Sequence, residues 1–175
     1  FSFFQVHKPQ AELLYEKALA YADLHGGETV IDAYCGTGTI SLCLAPKAGR
    51  VIGIEIVKEA IEDAKKNAAF NHIENAEFYA ADAGEFMPKL YQEGLRPDVI
   101  VMDPVRAGCS ETVLSAAAGM QPSRIVYVSC NVATFARDAK ILAGLGYTVK
   151  EVTPVDMFPQ TMHVETVALM SRVRD

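Results

Sequence analysis

A chain of 175 residues that is half hydrophobic is long enough to bury one well-formed core, and it lacks the Pro, Ser and charge bias that keeps a segment unfolded. Its formal net charge of −6 excludes the chain-wide basic surface of a self-sufficient nucleic-acid binder. Any hold on RNA must then rest on a local patch around Arg106, Arg124 and Arg137, or on something outside the chain. No apolar run reaches bilayer length, and the opening Phe1-Ser2-Phe3-Phe4 has neither the basic flank nor the cleavage site of a signal peptide, so a cytoplasmic protein is expected. An opening without Met, straight into aromatic residues, reads as a piece cut from a longer polypeptide. Cys35, Cys43, Cys109 and Cys130 are scattered with no C-x-x-C pair and no His at ligand spacing, so neither a metal site nor a disulfide is expected.

In chain order, Gln10 to Leu24 carries Leu13, Leu14, Ala18 and Ala22 at helical spacing and runs into His25-Gly26-Gly27, a glycine stop. Short β-rich runs then alternate with helical patterns. Thr29 to Asp32 precedes a helix near Ile40 to Leu44, Val51 to Glu55 precedes Lys58 to Asn71, and Ala76 to Tyr79 precedes a segment starting at Ala83. Asp98 to Met102 and Arg124 to Val128 continue the series, the latter ahead of a helix from about Ala133 to Leu145. Such alternation builds right-handed βαβ units on a central parallel sheet. Tyr147 to Val155 and Val164 to Val173 are strand-like with no helix between them, so the sheet should close with an antiparallel, hairpin-like pair. No repeat or linker divides the chain. The expectation is one α/β domain over residues 1–175, with a Rossmann-like, mostly parallel seven-stranded sheet of the class I S-adenosylmethionine-dependent methyltransferase type.

The segment Val30-Ile31-Asp32-Ala33-Tyr34-Cys35-Gly36-Thr37-Gly38-Thr39 is a strand running into a G-x-G turn that opens a helix. Gly36 and Gly38 remove side chains where backbone must bend and approach a ligand, and the helix start offers unpaired N–H groups. The third glycine of the dinucleotide fingerprint is replaced by Ser41, and Asp32 is poorly placed to welcome a pyrophosphate. It suits the amino acid half of a cationic sulfonium cofactor. Glu55 ends the second strand, where an acid pairs with ribose hydroxyls. Asp82 has two readings, a contact to an adenine amino group or an ordinary helix N-cap.

Asp103-Pro104-Val105-Arg106-Ala107-Gly108 follows the fourth strand, and Ser129-Cys130-Asn131 ends the fifth. Both lie where an open α/β sheet delivers side chains into its ligand crevice, with Arg137-Asp138 on the next helix. A cysteine there suggests covalent catalysis, against the alternative of a small buried hydrophobe.

Together with Phe4-Gln5-Val6, Gly53-Ile54-Glu55, Ala136-Arg137-Asp138, Asp156-Met157-Phe158-Pro159 and His163-Val164-Glu165, these segments resemble the RNA uracil-5-methyltransferases, which make 5-methyluridine in ribosomal and transfer RNA. The resemblance spans nearly the whole chain. It implies S-adenosylmethionine as cofactor, contacted by Gln5, Tyr34, Glu55, Asp82 and Asp103 and by Thr39, with the glycine turn of Gly36 and Gly38 beneath it. It also implies Cys130 as nucleophile and Glu165 as base. Family members commonly have Pro where this chain has Val105 and Val132, and they carry N-terminal RNA-binding and central domains absent from the chain. Ribosomal RNA is the first expected substrate and transfer RNA the second.

Uracil C5 is too weak a nucleophile to accept a methyl group unaided, and addition of a thiolate at C6 makes it enolate-like, with activation of the thiol by nearby polar or cationic groups. The C5 proton then has to be removed by a base, Glu165 or, failing that, His163. The target base must be unpaired or flipped out, with Phe158 as a stacking surface. Competing enzymatic readings lack their signatures: RNA cytosine-5 methylation a Pro-Cys second nucleophile, amino-group methylation an Asn-Pro-Pro-Tyr loop, nicotinamide-dependent oxidation the intact glycine pattern. A non-catalytic RNA-binding or assembly module that retains the fold is the reading from another class.

Overall fold

The computed structural model describes residues 8–157 and 164–173. Helix α1 (Lys8–Ala22) leads into an alternation of β1 (Thr29–Asp32), α2 (Thr39–Leu44), β2 (Arg50–Glu55), α3 (Lys58–Phe70), β3 (Ala76–Ala80), α4 (Ala83–Gln92), β4 (Val99–Met102), α5 (Glu111–Gly119), β5 (Arg124–Ser129) and α6 (Val132–Gly144). Strands β6 (Tyr147–Val155) and β7 (Glu165–Arg172) end it. The seven strands form one sheet in the order β3-β2-β1-β4-β5-β7-β6. β1 to β5 pair in parallel, and β7 inserts antiparallel between β5 and β6.

The strands read as near-continuous apolar runs because both faces of the sheet are covered. Ile31, Ile52, Ile100, Ile125 and Tyr127 point to one side, against Met87, Leu114 and Leu142 of α4, α5 and α6. Val30, Val51, Val101, Val126 and Val167 alternate to the other, against Leu14 and Ala18 of α1 and Ile40 and Leu44 of α2. A smaller cluster seats α3 on the sheet edge through Ile61, Ala64 and Phe78. Fully burying one such side chain is worth about 1.5–3 kcal/mol, so this two-sided core dominates the stability of the fold.

Two details depart from the sequence expectation. Helix α1 stops at Ala22, before the glycines, because Asp23 takes the left-handed conformation (φ 51) and Arg124 holds both its carboxylate and the Tyr21 carbonyl. The N–H groups of His25, Gly26 and Gly27 instead surround the Glu28 carboxylate at 2.9, 3.0 and 3.1 Å. Helix α5 also stands out as a separate element, capped by the Ser110 hydroxyl accepting the Val113 N–H at 3.3 Å.

Strand order reverses between β1 and β4, whose following segments leave toward opposite faces, and this is the point at which an open α/β sheet forms its ligand crevice. Asp32 ends β1, Asp103 follows β4 and Cys130 follows β5. Glu165 opens the antiparallel β7, so its N-terminal end lies at the C-terminal edge of the parallel strands.

Candidate active site

The glycine turn is shaped by backbone that other residues cannot adopt without strain. Gly36 and Gly38 have φ of 52° and 86°, and a Cβ at Gly38 would come within 3.1 Å of Ala64 and of the Phe78 ring. The turn is tied down from α3, where the Asn67 amide donates to the Thr37 carbonyl at 3.0 Å. Thr39 is exposed at the first position of α2, beside the turn.

Beneath the turn, Asp32 is fully buried. The Ser41 hydroxyl donates to Asp32 Oδ2 at 2.6 Å, while Oδ1 has no hydrogen-bond partner among the described residues. Burial pushes the Asp32 carboxyl up to about 6, against the lowering effect of the Ser41 hydrogen bond. The replacement of the third fingerprint glycine by Ser41 thus has a structural reason. Glu55, at the end of β2, accepts the Val57 N–H at 2.9 Å and the Gly36 N–H at 3.3 Å, which fixes its carboxylate while leaving lone pairs on both oxygens. Beside it the apolar Ile56 and Val57 are exposed, 68% and 47%. Asp82 is the N-cap of α4, accepting the Glu85 N–H at 3.2 Å, so the capping reading holds, and the residue stays exposed at the crevice edge past β3.

On the other side of the switch point, the β5–β7 register ends with Ser129 opposite Thr166, so Cys130, the residue after β5, and Glu165, the first residue of β7, lie at the same end of the ladder. The Thr166 hydroxyl donates to the Ser129 carbonyl at 3.2 Å, which reinforces the pairing. After Cys130 the Asn131 side chain caps α6 by accepting the Ala133 N–H at 3.0 Å, so the helix starts immediately behind the thiol. Cys130 is half-buried and Glu165 only 5% exposed.

Burial pushes both groups up. For Glu165 the opposing influence is the Arg106 guanidinium. For Cys130 burial acts first and the Glu165 charge second, with Arg106 working against them and Asp103 adding to them. The sequence reading expected neighbouring polar or cationic groups to activate this thiol. Instead burial leads, the two carboxylates outweigh the one cation, and the thiol is raised above its ordinary value. Asp103 is pushed up to about 7 by desolvation and by the charges of Glu165 and Asp32. Such clustering of shifted carboxyls in one crevice is the pattern of a functional site.

The structure therefore brings together Asp32, Tyr34, Gly36, Gly38, Thr39, Glu55, Asp82, Asp103, Cys130 and Glu165 along one edge of the sheet. Gln5, Phe158 and His163 lie outside the described residues. Three residues escaped sequence reasoning. Ser41 and Asn67 bond the turn from helices, and Ser41 had a legible signal as a hydroxyl nine residues after a strand-end acid. Tyr15 of α1 had none. It is half-buried, and its hydroxyl is pushed up to about 12 by burial and then by Asp103, Cys43 and Glu165. Among the described residues no group of three His, Cys, Asp or Glu side chains is arranged to hold a metal ion.

An acidic crevice with an orphaned buried carboxylate oxygen, a carboxylate at the β2 end and exposed apolar side chains next to it fits a ligand that is cationic at one end and a nucleoside at the other. With the strand order, this defines a class I S-adenosylmethionine-dependent methyltransferase fold. A family model described as tRNA (uracil-5-)-methyltransferase matches residues 2–173, and the chain belongs to that family.

Similar proteins include one from Bacillus cereus (strain ATCC 10987 / NRS 248), 59% identical over 98% of this chain and 37% of that protein, and one from Clostridium tetani (strain Massachusetts / E88), 54% identical over 99% and 38%. Both are described only as uncharacterized RNA methyltransferases. The Pyrococcus abyssi tRNA (uracil-54, C5)-methyltransferase, solved with S-adenosyl-L-homocysteine, is 35% identical, with a TM-score of 0.81 over 97% of this chain and 40% of its own. The chain thus spans less than half the length of these three relatives.

Proposed function

We propose that the chain is a catalytic domain that transfers a methyl group from S-adenosylmethionine to C5 of a uridine in RNA, through a covalent bond between Cys130 and C6. The observation that carries this reading is that a half-buried thiol, Cys130, and a buried carboxylate, Glu165, sit at the same end of the β5–β7 ladder, with the Glu165 charge bearing on the thiol, at the same crevice as the cofactor turn. In this reading residues 1–175 form one domain of a cytoplasmic enzyme, and its grip on RNA depends on further domains, as the net charge of −6 suggests.

When bound, S-adenosylmethionine supplies an electrophilic methyl group on a sulfonium and leaves as S-adenosylhomocysteine. Asp32 would meet its cationic end, Glu55 its ribose and Asp82 its adenine edge, and Tyr34, Thr39 and Asp103 would complete the contacts, with Gln5 expected there from the family resemblance. Cys130 gives its proton to solvent and its sulfur adds to C6, which places the displaced electron pair at C5 and O4. Once C5 carries the methyl group, Glu165 takes the remaining C5 proton, the C5–C6 double bond re-forms, and the sulfur of Cys130 leaves as thiolate. Burial suits Glu165 to this role, because a carboxylate raised above its usual range is a stronger base near neutral pH. Arg106 bears on both Cys130 and Glu165, and its positive charge favours the anionic form of each.

Ribosomal RNA of the large subunit, 23S, is the first expected substrate, on the family resemblance. Transfer RNA is the second, favoured by the activity named for the 35% identical Pyrococcus abyssi structure. Mass-spectrometric mapping of 5-methyluridine in both RNA classes from a strain lacking the gene decides between them. Loss of one rRNA site supports the first expectation, loss of a tRNA site replaces it with the second, and an unchanged 5-methyluridine map contradicts the proposed activity.

A further inference from the structure

The segment from Asp103 to Cys109 connects β4 to α5 and carries two charged groups of the crevice, Asp103 and Arg106. It has no regular secondary structure, so its backbone bonds must be met elsewhere. Besides the Gly108 N–H donating to the Val105 carbonyl at 2.8 Å within the loop, four are met from one face of α6. Thr134 donates through its hydroxyl to the Arg106 carbonyl at 3.2 Å. Arg137 donates from one guanidinium nitrogen to the Ala107 carbonyl at 2.9 Å and the Cys109 carbonyl at 3.2 Å. Asp138 accepts the Cys109 N–H at 2.7 Å. Positions 134, 137 and 138 are spaced three and four apart, so they share one helix face.

Asp138 is fully buried and its carboxylate is saturated. Besides the Cys109 N–H, it accepts the Tyr127 hydroxyl of β5 at 2.6 Å and the Arg137 Nε at 2.8 Å. Gly108 sits against this pair at φ 79, where a Cβ would meet Arg137 and Asp138 atoms at 2.6 Å. A buried charge is costly and core packing does not require one, so a carboxylate retained at this point suits a part that must hold a backbone in one arrangement. Arg137 contributes little to the core, since its side chain is 51% exposed, and all its described hydrogen bonds go to the loop or to Asp138. The same helix begins directly after Cys130, so one rigid element bears on both the nucleophile and the loop opposite it.

We propose that Arg137 and Asp138 are positioning residues, which hold the Asp103–Cys109 loop from α6 and so keep Asp103 and Arg106 aligned with Cys130. The proposal rests on the methyl-transfer reading above. Neither residue touches the reacting atoms; both act through the loop. Loosening the clamp leaves the glycine turn, Glu55 and Asp82 in place but lets Arg106 drift from the Cys130–Glu165 pair, and misplacement of about 1 Å can cost roughly 100-fold in rate.

The test uses the full natural protein with its RNA substrate and three variants, Arg137→Ala, Arg137→Lys and Asp138→Asn. Cofactor affinity is measured by calorimetry, and the single-turnover rate of methyl transfer at saturating cofactor and RNA. The expected result is a rate down roughly 10- to 100-fold in Arg137→Ala and Asp138→Asn, with a clearly smaller loss of cofactor affinity, since Asp103 is one cofactor contact among several. Arg137→Lys should lie between, because an ammonium can still reach one loop carbonyl. Parental rates in Arg137→Ala and Asp138→Asn overturn the proposal, and so do equal losses of rate and cofactor affinity, which mark general loosening. Should Asp138→Asn fail to fold, the exposed Arg137 variants decide alone. Product analysis of the parent enzyme separates the two ideas. Methyl groups found elsewhere than uridine C5 sink the functional reading, whereas 5-methyluridine made by a parent whose Arg137 variants are unimpaired sinks only the clamp.

Discussion

Ser129 pairs with Thr166 at the last step of the antiparallel β5–β7 ladder, so Cys130 leaves β5 and Glu165 opens β7 at the same end of it. A thiol next to a buried carboxylate is disfavoured as thiolate, and a carboxylate in that position is disfavoured as an anion. Burial raises both groups above their ordinary values, and the Glu165 charge raises the thiol further.

The first prediction follows from those signs. Glu165 raises the Cys130 thiol and Arg106 lowers it. At pH 8, in a Cys43→Ser background that removes the exposed thiol, alkylation of Cys130 by iodoacetamide should be several-fold faster in Glu165→Gln than in the parent. In Arg106→Gln it should be slower. Peptide mass spectrometry over a time course reads both rates, and the reverse order would mean that the crevice charges do not act on this thiol as the geometry requires.

Asp32 supplies the second. Its folded-state value of about 6 lies above the ordinary range for an aspartate, so it contributes stability below the unfolded value that is lost as pH rises through about 6. The ligand-free protein should consequently gain from protonation of Asp32 as pH falls from 7 toward 4. Cofactor binding should run the other way, strengthening as pH rises through about 6 and the cationic ligand meets an ionised carboxylate. Asp32→Asn, which keeps an acceptor for Ser41, should flatten both dependences. Melting curves and calorimetry at pH 5, 6 and 7 test this. An Asn variant with parental pH dependence would remove Asp32 from the cofactor site.

Glu55→Ala should weaken S-adenosylmethionine binding by about 1.5–3 kcal/mol, the range for hydrogen bonds to a charged group. The Gly36 and Val57 N–H groups that now meet Glu55 would turn to water. Affinity equal to the parent in calorimetry would show that the carboxylate serves only the turn.

The strand alternation, the glycine turn and the antiparallel ending were legible because each is a local pattern of period or residue type. Glu165 was legible only through a family resemblance, since its place beside Cys130 is created by β7 inserting between β5 and β6, a long-range event with no local signature. Ser41 was noticed as a missing glycine, but its hydroxyl bond to Asp32 needed the helix to fold back over β1. Tyr15 reads as one more apolar position of α1 and reaches the acids only because α1 packs over β5 and β7. The early end of α1 came from Arg124, 101 residues from the Asp23 it binds. Arg137 and Asp138 were visible as a charged pair on a helix, yet nothing in their spacing announced that both would bond the backbone of a loop 28 to 30 residues earlier.

The most direct test of covalent catalysis is trapping with Glu165→Gln in the full natural protein. The change is nearly isosteric and removes the base while leaving addition of Cys130 to C6 and methyl transfer possible. A protein–RNA adduct carrying label from the methyl donor should accumulate and survive denaturing electrophoresis, and Cys130→Ala in the same protein should abolish it. Alanine at Cys35, Cys43 or Cys109 should leave appreciable activity. Free methylated RNA released by Glu165→Gln at the parental rate would contradict the account, and substantial turnover by Cys130→Ala would remove the covalent step from it.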